Sequence, residues 1–264
     1  MNLDAYAARI EYGGAFTPTL ETLRALHFAH ATHIPFENLD ILLGKPILLD
    51  QESLAAKLIE GQRGGYCFEQ NGLFAAVLEA AGFHVTRLAA RVRMGVTELR
   101  PTSHMLLLVE AGGEPWIADV GFGGEGLLYP LPLHSSEVTR HFNWQYRILA
   151  EDGIHVLQSQ GREGWADLYA FTLQRQELVD YEVYNHFTST YPRSPFLNRL
   201  VVQMPGPEVR WKLVNRLLSK QTPEGTVDTV LPDDDAILAT LAERFRLRFP
   251  AGTRFAYREL AGIS

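Results

Sequence analysis

Cys67 is the only cysteine in 264 residues, so the chain has no intrachain disulfide and no Cys-only metal cage. Two readings of it remain, a buried apolar filler or a reactive thiol. It lies in QRGGYCFEQNGLF, where Gly64 and Gly65 break one helical pattern and the apolar period resumes directly after the cysteine. That spacing predicts Cys67 in the first turn of a new helix, where free backbone N–H groups and the positive end of the helix dipole stabilise a thiolate. Paired glycines also permit a turn closed to residues with a Cβ and leave room for a substrate beside the sulfur. Local context leaves both readings open; the partners decide.

A nucleophilic thiol needs a base, and the base needs an orienting group. Of nine histidines, His104 opens the β-type run HMLLLVE, at a strand mouth where a side chain can face a cleft. Asp119 closes the next strand, PWIAD, just before the glycine-rich VGFGGEG. If the two runs pair through EAGGE, their register can bring imidazole and carboxylate together. An aspartate ending an apolar strand is also expensive to bury alone. The plainer alternatives are a strand-end histidine and a turn-capping aspartate, but their order after a glycine-cradled cysteine weighs against both. His27, His30 and His33 recur at helical spacing, and neighbouring pairs could share a face and hold a metal. No cysteine or carboxylate completes the set, so no metal is expected and the three read as histidines tolerated on an amphipathic helix.

The elements that must position these groups fall into blocks. Residues 1–85 carry apolar positions three and four apart, as in TLETLRALHFAHATH and NGLFAAVLEAAG, the latter ending at Gly82. Residues 86–175 hold short β-rich runs punctuated by Gly and Asp-Gly, as in antiparallel sheets or a barrel. Residues 176–200 are aromatic and Pro-interrupted with little periodicity, a connecting region. Residues 201–264 read as one or two strands and a helix capped between Asp233 and Asp235, a small α/β tail. Helices, then strands, then a mixed tail make the fold class α+β.

Composition narrows the partners. The chain is 46% hydrophobic and 21% charged, enough for a substantial core, and its net charge of -7 comes with no basic stripe suited to a phosphate backbone. Nucleic acid is excluded as a partner on that ground. No apolar run approaches the ~20 residues of a membrane span, and MNLDAYAARIEYGG lacks the order of a signal peptide. A cytoplasmic location away from membranes is expected.

Taken together, LHFAHATHIPFENLDIL, QRGGYCFEQNGLF, RPTSHMLLLV and IADVGFGG resemble the arylamine N-acetyltransferase family in order and spacing, over nearly the whole length. The resemblance implies a helical domain, a β-barrel and an α/β lid around a cysteine-protease-like core. It implies that Cys67 accepts an acetyl group from acetyl-CoA, with His104 as base and Asp119 as orienting acid. Phe122 matches the aromatic bordering the acceptor pocket, and Phe36 joins it among the substrate-binding residues. Gly121, Gly123, Gly124 and Gly126 resemble the turn past which coenzyme A threads. Glu37 and Arg63 are expected to pair and brace the glycine turn. Acetyl-CoA would be a co-substrate, with no cofactor permanently bound and an arylamine or hydrazine as acceptor; the assembly expected is a monomer or homodimer. An amide synthase closing a macrolactam and a papain-like or transglutaminase-like hydrolase are the rival readings, because the same triad serves other acceptors.

Overall fold

The computed structural model describes residues 1–96 and 98–258. Helix α1 (Leu3–Arg9) is followed by α2 (Leu20–His33), whose N-cap Thr19 accepts the Thr22 amide and whose first turn carries Glu21 at the positive end of the dipole. A two-residue strand β1 (Phe36–Glu37) leads into the short helices α3 (Leu39–Leu42) and α4 (Gln51–Leu54). A π-helical stretch, Ala55–Glu60, continues α4 to the glycine turn. Helix α5 (Cys67–Ala80) then begins at the cysteine and ends where Gly82 takes φ +86. Leu23 and Leu26 of α2 share one core cluster with Phe68, Leu73, Phe74 and Leu78 of α5, and Phe74 meets the rings of His27 and His30 edge-on.

Eight strands follow, with an antiparallel order set by hairpins. They are β2 (His84–Val92), β3 (His104–Ala111), β4 (Glu114–Ala118), β5 (Leu131–Pro132), β6 (Thr139–His141), β7 (Trp144–Glu151), β8 (Ile154–Gly161) and β9 (Gly164–Phe171). Their spatial order, β5-β4-β3-β2-β9-β8-β7-β6, makes one sheet curled into a nearly closed barrel. Alternation sorts its faces: Leu106 of β3 and Ile117 of β4 turn into the barrel core with Tyr146 and Tyr169, whereas Met105, Leu107 and Ala118 pack on the helices.

Two expectations need correction here. Residues 176–200, read as a connecting region with little periodicity, contain α6 (Leu178–Thr190) and α7 (Pro195–Asn198). Helix α6 buries only Tyr181 and Thr188 and leaves Leu178, Val179 and Val183 exposed, so no apolar stripe marks it. Among the described residues the tail holds four strands rather than one or two: β10 (Val201–Met204), β11 (Arg210–Val214), β12 (Leu217–Thr222) and β13 (Gly225–Val230). The last two form a hairpin around Pro223 and Glu224, half-buried along β12 and mostly exposed along β13, without the fully buried face that would announce a strand. Helix α8 (Asp234–Phe245) is capped by Asp233, which accepts the Ala236 amide. The last six residues of the expected 201–264 unit lie outside the described residues.

The five-stranded sheet runs β1-β10-β11-β12-β13. Its first strand comes from the N-terminal helical part, with Phe36 opposite Gln203 and Glu37 opposite Val202. Phe36 also bridges Gly65. The C-terminal sheet is thereby hydrogen-bonded to the segment beside the glycine turn, and its Gln203, Lys212 and Gln221 line the same cleft as Cys67.

Candidate active site

Cys67 is the first residue of α5, and its side chain lies at a cleft of about 230 Å³. The cleft is made possible by close backbone approaches that only glycine allows. A Cβ on Gly64 would fall 2.1 Å from the carbonyl oxygen of Pro35, and one on Gly65 would fall 2.8 Å from the side chain of Glu69. The Cys67 thiol is 3.6 Å from the carbonyl oxygen of Ser103, the residue before His104.

His104 begins β3, and its Nε2 lies 2.7 Å from Oδ2 of Asp119, which follows β4. Nδ1 is thus the ring nitrogen left to serve the thiol. Burial, the largest influence on His104, disfavours its charged form, but the charge and hydrogen bond of Asp119, with a contribution from Cys67, outweigh it and raise its pKa to about 10. Asp119 is also buried, yet His104, Asn71 and the Gly121 amide hold its carboxyl below the usual range. The net direction favours the charged imidazole next to the sulfur.

Other expected residues fall into two groups. Phe36, Phe122, Gly121 and Gly124 line the cleft with Cys67 and His104, and the Phe122 ring centre is 5.1 Å from that of His104. Gly123 and Gly126 form the turn itself: Gly123 takes φ +91 against Gln203, and the Gly126 amide donates to the Gly123 carbonyl at 2.9 Å. From β10 to β12, Gln203, Lys212 and Gln221 supply the opposite wall.

Arg63 reaches Glu37 through Nη2 at 2.6 Å and Nε at 3.0 Å. The pair belongs to a larger network than the sequence suggests. Arg63 also donates to Asp40, and Lys57 joins Asp40 at 2.8 Å to Glu69 at 2.6 Å. Glu69 in turn accepts the backbone N–H of Tyr66 at 3.0 Å and so caps α5 immediately before the cysteine.

Further polar residues at the site carry no signal in the sequence read alone. Asn71 donates to Oδ1 of Asp119 at 2.9 Å and to the Met105 carbonyl at 2.7 Å, while its own oxygen accepts the Val120 amide. His27 and His30 are not merely tolerated on α2: both are fully buried and hydrogen-bonded, to the Asp119 amide and to Tyr6 and Gln70 respectively. Burial pushes their pKa values down to about 4 and about 3, so both rings are neutral. Among the described residues no group of three His, Cys, Asp or Glu is placed to hold a metal ion, and no helix is long and apolar enough to cross a membrane.

A cysteine at a helix N-terminus, faced by a histidine and an acid carried on a β-sheet, is the arrangement of papain-like thiol enzymes and of other acyl-transfer enzymes built on the same triad. The chain belongs to the arylamine N-acetyltransferase family and is an acyltransferase. A sequence profile described as N-acetyltransferase matches residues 19–253. The chain is 40% identical over 248 residues to the arylamine N-acetyltransferase of Escherichia coli, covering 93% of this chain and 88% of that one. Over 201 residues it is 42% identical to a Salmonella typhimurium protein named arylamine N-acetyltransferase / N-hydroxyarylamine O-acetyltransferase, covering 76% and 72% of the two chains. Its fold matches the Mycobacterium marinum arylamine N-acetyltransferase in complex with CoA with a TM-score of 0.88 at 38% identity, over 93% of this chain and 92% of that one. The resemblance and the α+β architecture expected from the sequence are borne out.

Proposed function

We propose that the enzyme moves the acetyl group of acetyl-CoA, through a thioester on Cys67, to arylamines, arylhydrazines or N-hydroxyarylamines. The observation that carries this reading is the position of Cys67 at the head of α5, in one cleft with the 2.7 Å His104–Asp119 pair. In the resting state the imidazolium faces a thiolate. The sulfur attacks the acetyl carbonyl, and the oxyanion forms near the N-terminus of α5, where the Cys67 amide is a donor. The carbon–sulfur bond to coenzyme A breaks, and the departing thiolate takes the His104 proton. The acceptor nitrogen, weakly basic and already unprotonated, attacks the acetyl-enzyme. As the Cys67 thiolate leaves, His104 collects the proton released by the product, which restores the starting pair.

Phe36 and Phe122 border an aromatic acceptor, and the turn holding Gly121, Gly123, Gly124 and Gly126 admits the pantetheine arm. Coenzyme A leaves in each cycle, so no permanently held cofactor is invoked. A free catalytic thiol and acetyl-CoA as donor fit a cytoplasmic enzyme working as a monomer or homodimer. Family membership favours acetyl transfer over the hydrolase and macrolactam readings.

One cysteine in one cleft must release coenzyme A before the amine takes the same approach, so the reaction should be ping-pong. Initial rates against both substrates should give parallel lines. Without amine the protein should gain one acetyl group by mass, and Cys67→Ser none. Intersecting lines, with no adduct on rapid quench, would replace this mechanism by direct transfer within a ternary complex.

A further inference from the structure

His27 lies on α2, fully buried, and its Nε2 accepts the backbone N–H of Asp119 at 3.1 Å. A buried N–H without an acceptor is strongly disfavoured, so this contact fixes the main chain where β4 gives way to the glycine turn. Two other donors fix the carboxylate: Asn71 and the Gly121 amide both reach Oδ1, at 2.9 Å and 3.0 Å. With its peptide root and one oxygen held, the Asp119 side chain has its second oxygen directed at His104.

The tether has a firm base. Three residues along α2, His30 meets Oε1 of Gln70 at 2.7 Å, and Gln70 donates to the carbonyls of Ile34 and Pro35. Gln70 sits on α5, the helix that begins at Cys67. A closed circuit results, from Cys67 along α5 to Gln70, across to His30, along α2 to His27, and through Asp119 to His104.

We propose that His27 is a positioning residue: by accepting the Asp119 amide at Nε2 it sets the direction from which His104 meets Cys67. It touches none of the reacting atoms. The role requires a neutral ring with its hydrogen on Nδ1, because an imidazolium has no acceptor nitrogen; Nδ1 is itself buried without a hydrogen-bond partner, so satisfying the Asp119 amide leaves that second ring donor unmatched. The inference rests on the reading of Cys67, His104 and Asp119 given above.

His27→Leu keeps an apolar filler and removes the acceptor; His27→Gln keeps a carbonyl near the place of Nε2. His27→Leu should lower both kcat and the rate of Cys67 alkylation by iodoacetamide at neutral pH by about tenfold to a hundredfold, with KM for acetyl-CoA unchanged. His27→Gln should recover most of both. A purely structural role would lower the thermal midpoint and leave the pH profile of alkylation where it is. A reading that needs no variant comes from nitrogen-15 NMR of histidine-labelled wild-type protein, in which His27 Nε2 should be unprotonated and coupled to the Asp119 amide. That measurement decides the matter if His27→Leu does not fold. A protonated Nε2, or a folded His27→Leu protein with the wild-type alkylation profile, would overturn the proposal. A wild-type protein alkylated no faster than His104→Gln would instead overturn the triad itself, which keeps the two failures distinct.

Discussion

Nε2 of His104 lies 2.7 Å from Oδ2 of Asp119, although β3 and β4 do not set the two residues opposite each other. The ladder ends at Leu107 and Ala118; one step further it would place Asp119 across from Leu106, on the face that His104 shares two residues away. The pair is a diagonal one, closed by the bend after β4.

Its energetics have a definite pH signature. Against the pull of burial, Asp119 raises His104 from its ordinary value of 6.5 to about 10. A group whose folded pKa is raised contributes stability that is complete below about 6.5 and is lost as the pH climbs through the folded value. Unfolding free energy should therefore fall between those two pH values. Denaturant titrations on a Cys67→Ser background, which removes the thiol's own ionisation, should show this slope, and adding His104→Gln should flatten it. A level profile before that second substitution would contradict the assignment.

Asp119→Asn keeps the size of the side chain and removes its charge. The amide no longer supports the imidazolium, and its NH₂ group can face the ring and impose the wrong tautomer. The acetylation and deacetylation steps should both slow by about 10³-fold or more. Stopped-flow release of coenzyme A without acceptor isolates the first step. A loss confined to the second step would show that Asp119 acts on the acceptor instead of on His104.

Gly121 is where the barrel touches the head of α5. A Cβ there would lie 2.8 Å from Cα of Cys67 and 2.7 Å from Nδ2 of Asn71, the nitrogen that holds Asp119. Neither can retreat without disturbing the site, so Gly121→Ala should destabilise the protein by about 1–3 kcal/mol and also slow Cys67 alkylation. Gly13→Ala, with nothing within 4 Å, is the matched control and should change neither. Equal behaviour of the two variants in denaturation and alkylation would remove the steric argument.

What could be read in the sequence was what is encoded locally. The glycine pair before Cys67, the apolar period after it, a strand opening at His104 and one closing at the edge of Asp119 each span a few residues. The supporting shell is not local. His27 meets an amide 92 positions away, Asn71 a carboxylate 48 positions away, and Gln70 carbonyls 35 and 36 positions back. A polar side chain on a helix looks the same in sequence whether it is solvated or satisfied by a distant strand. The hairpin of β12 and β13 and the sparsely buried α6 escaped for the opposite reason, since neither has a buried face to impose a period. Strand β1 is two residues long and finds its partner only in β10, beyond the reach of any periodicity.

Beneath the head of α5 and Cys67 lies a cluster of buried charges. Glu37, Asp40 and Glu69 face Lys57 and Arg63, an excess of one negative charge. Burial, opposed by Lys57, pushes the Glu69 carboxyl up to about 7. Lys57→Met raises the excess to two and strips Glu69 of its counter-charge, which should cost about 3–5 kcal/mol at neutral pH. The deficit should shrink in acid, because a buried carboxyl with a raised folded pKa is most stable below its unfolded value and loses that stability as the pH rises. Adding Glu69→Gln returns the excess to one and keeps a carbonyl for the Tyr66 amide, so the double variant should be more stable than Lys57→Met alone. Cys67 alkylation should follow the same order, since Glu69 caps the helix at the residue before the sulfur. A double-mutant cycle in denaturant settles this: a coupling near zero would mean that Lys57 and Glu69 act independently, and that the network does not brace the head of α5.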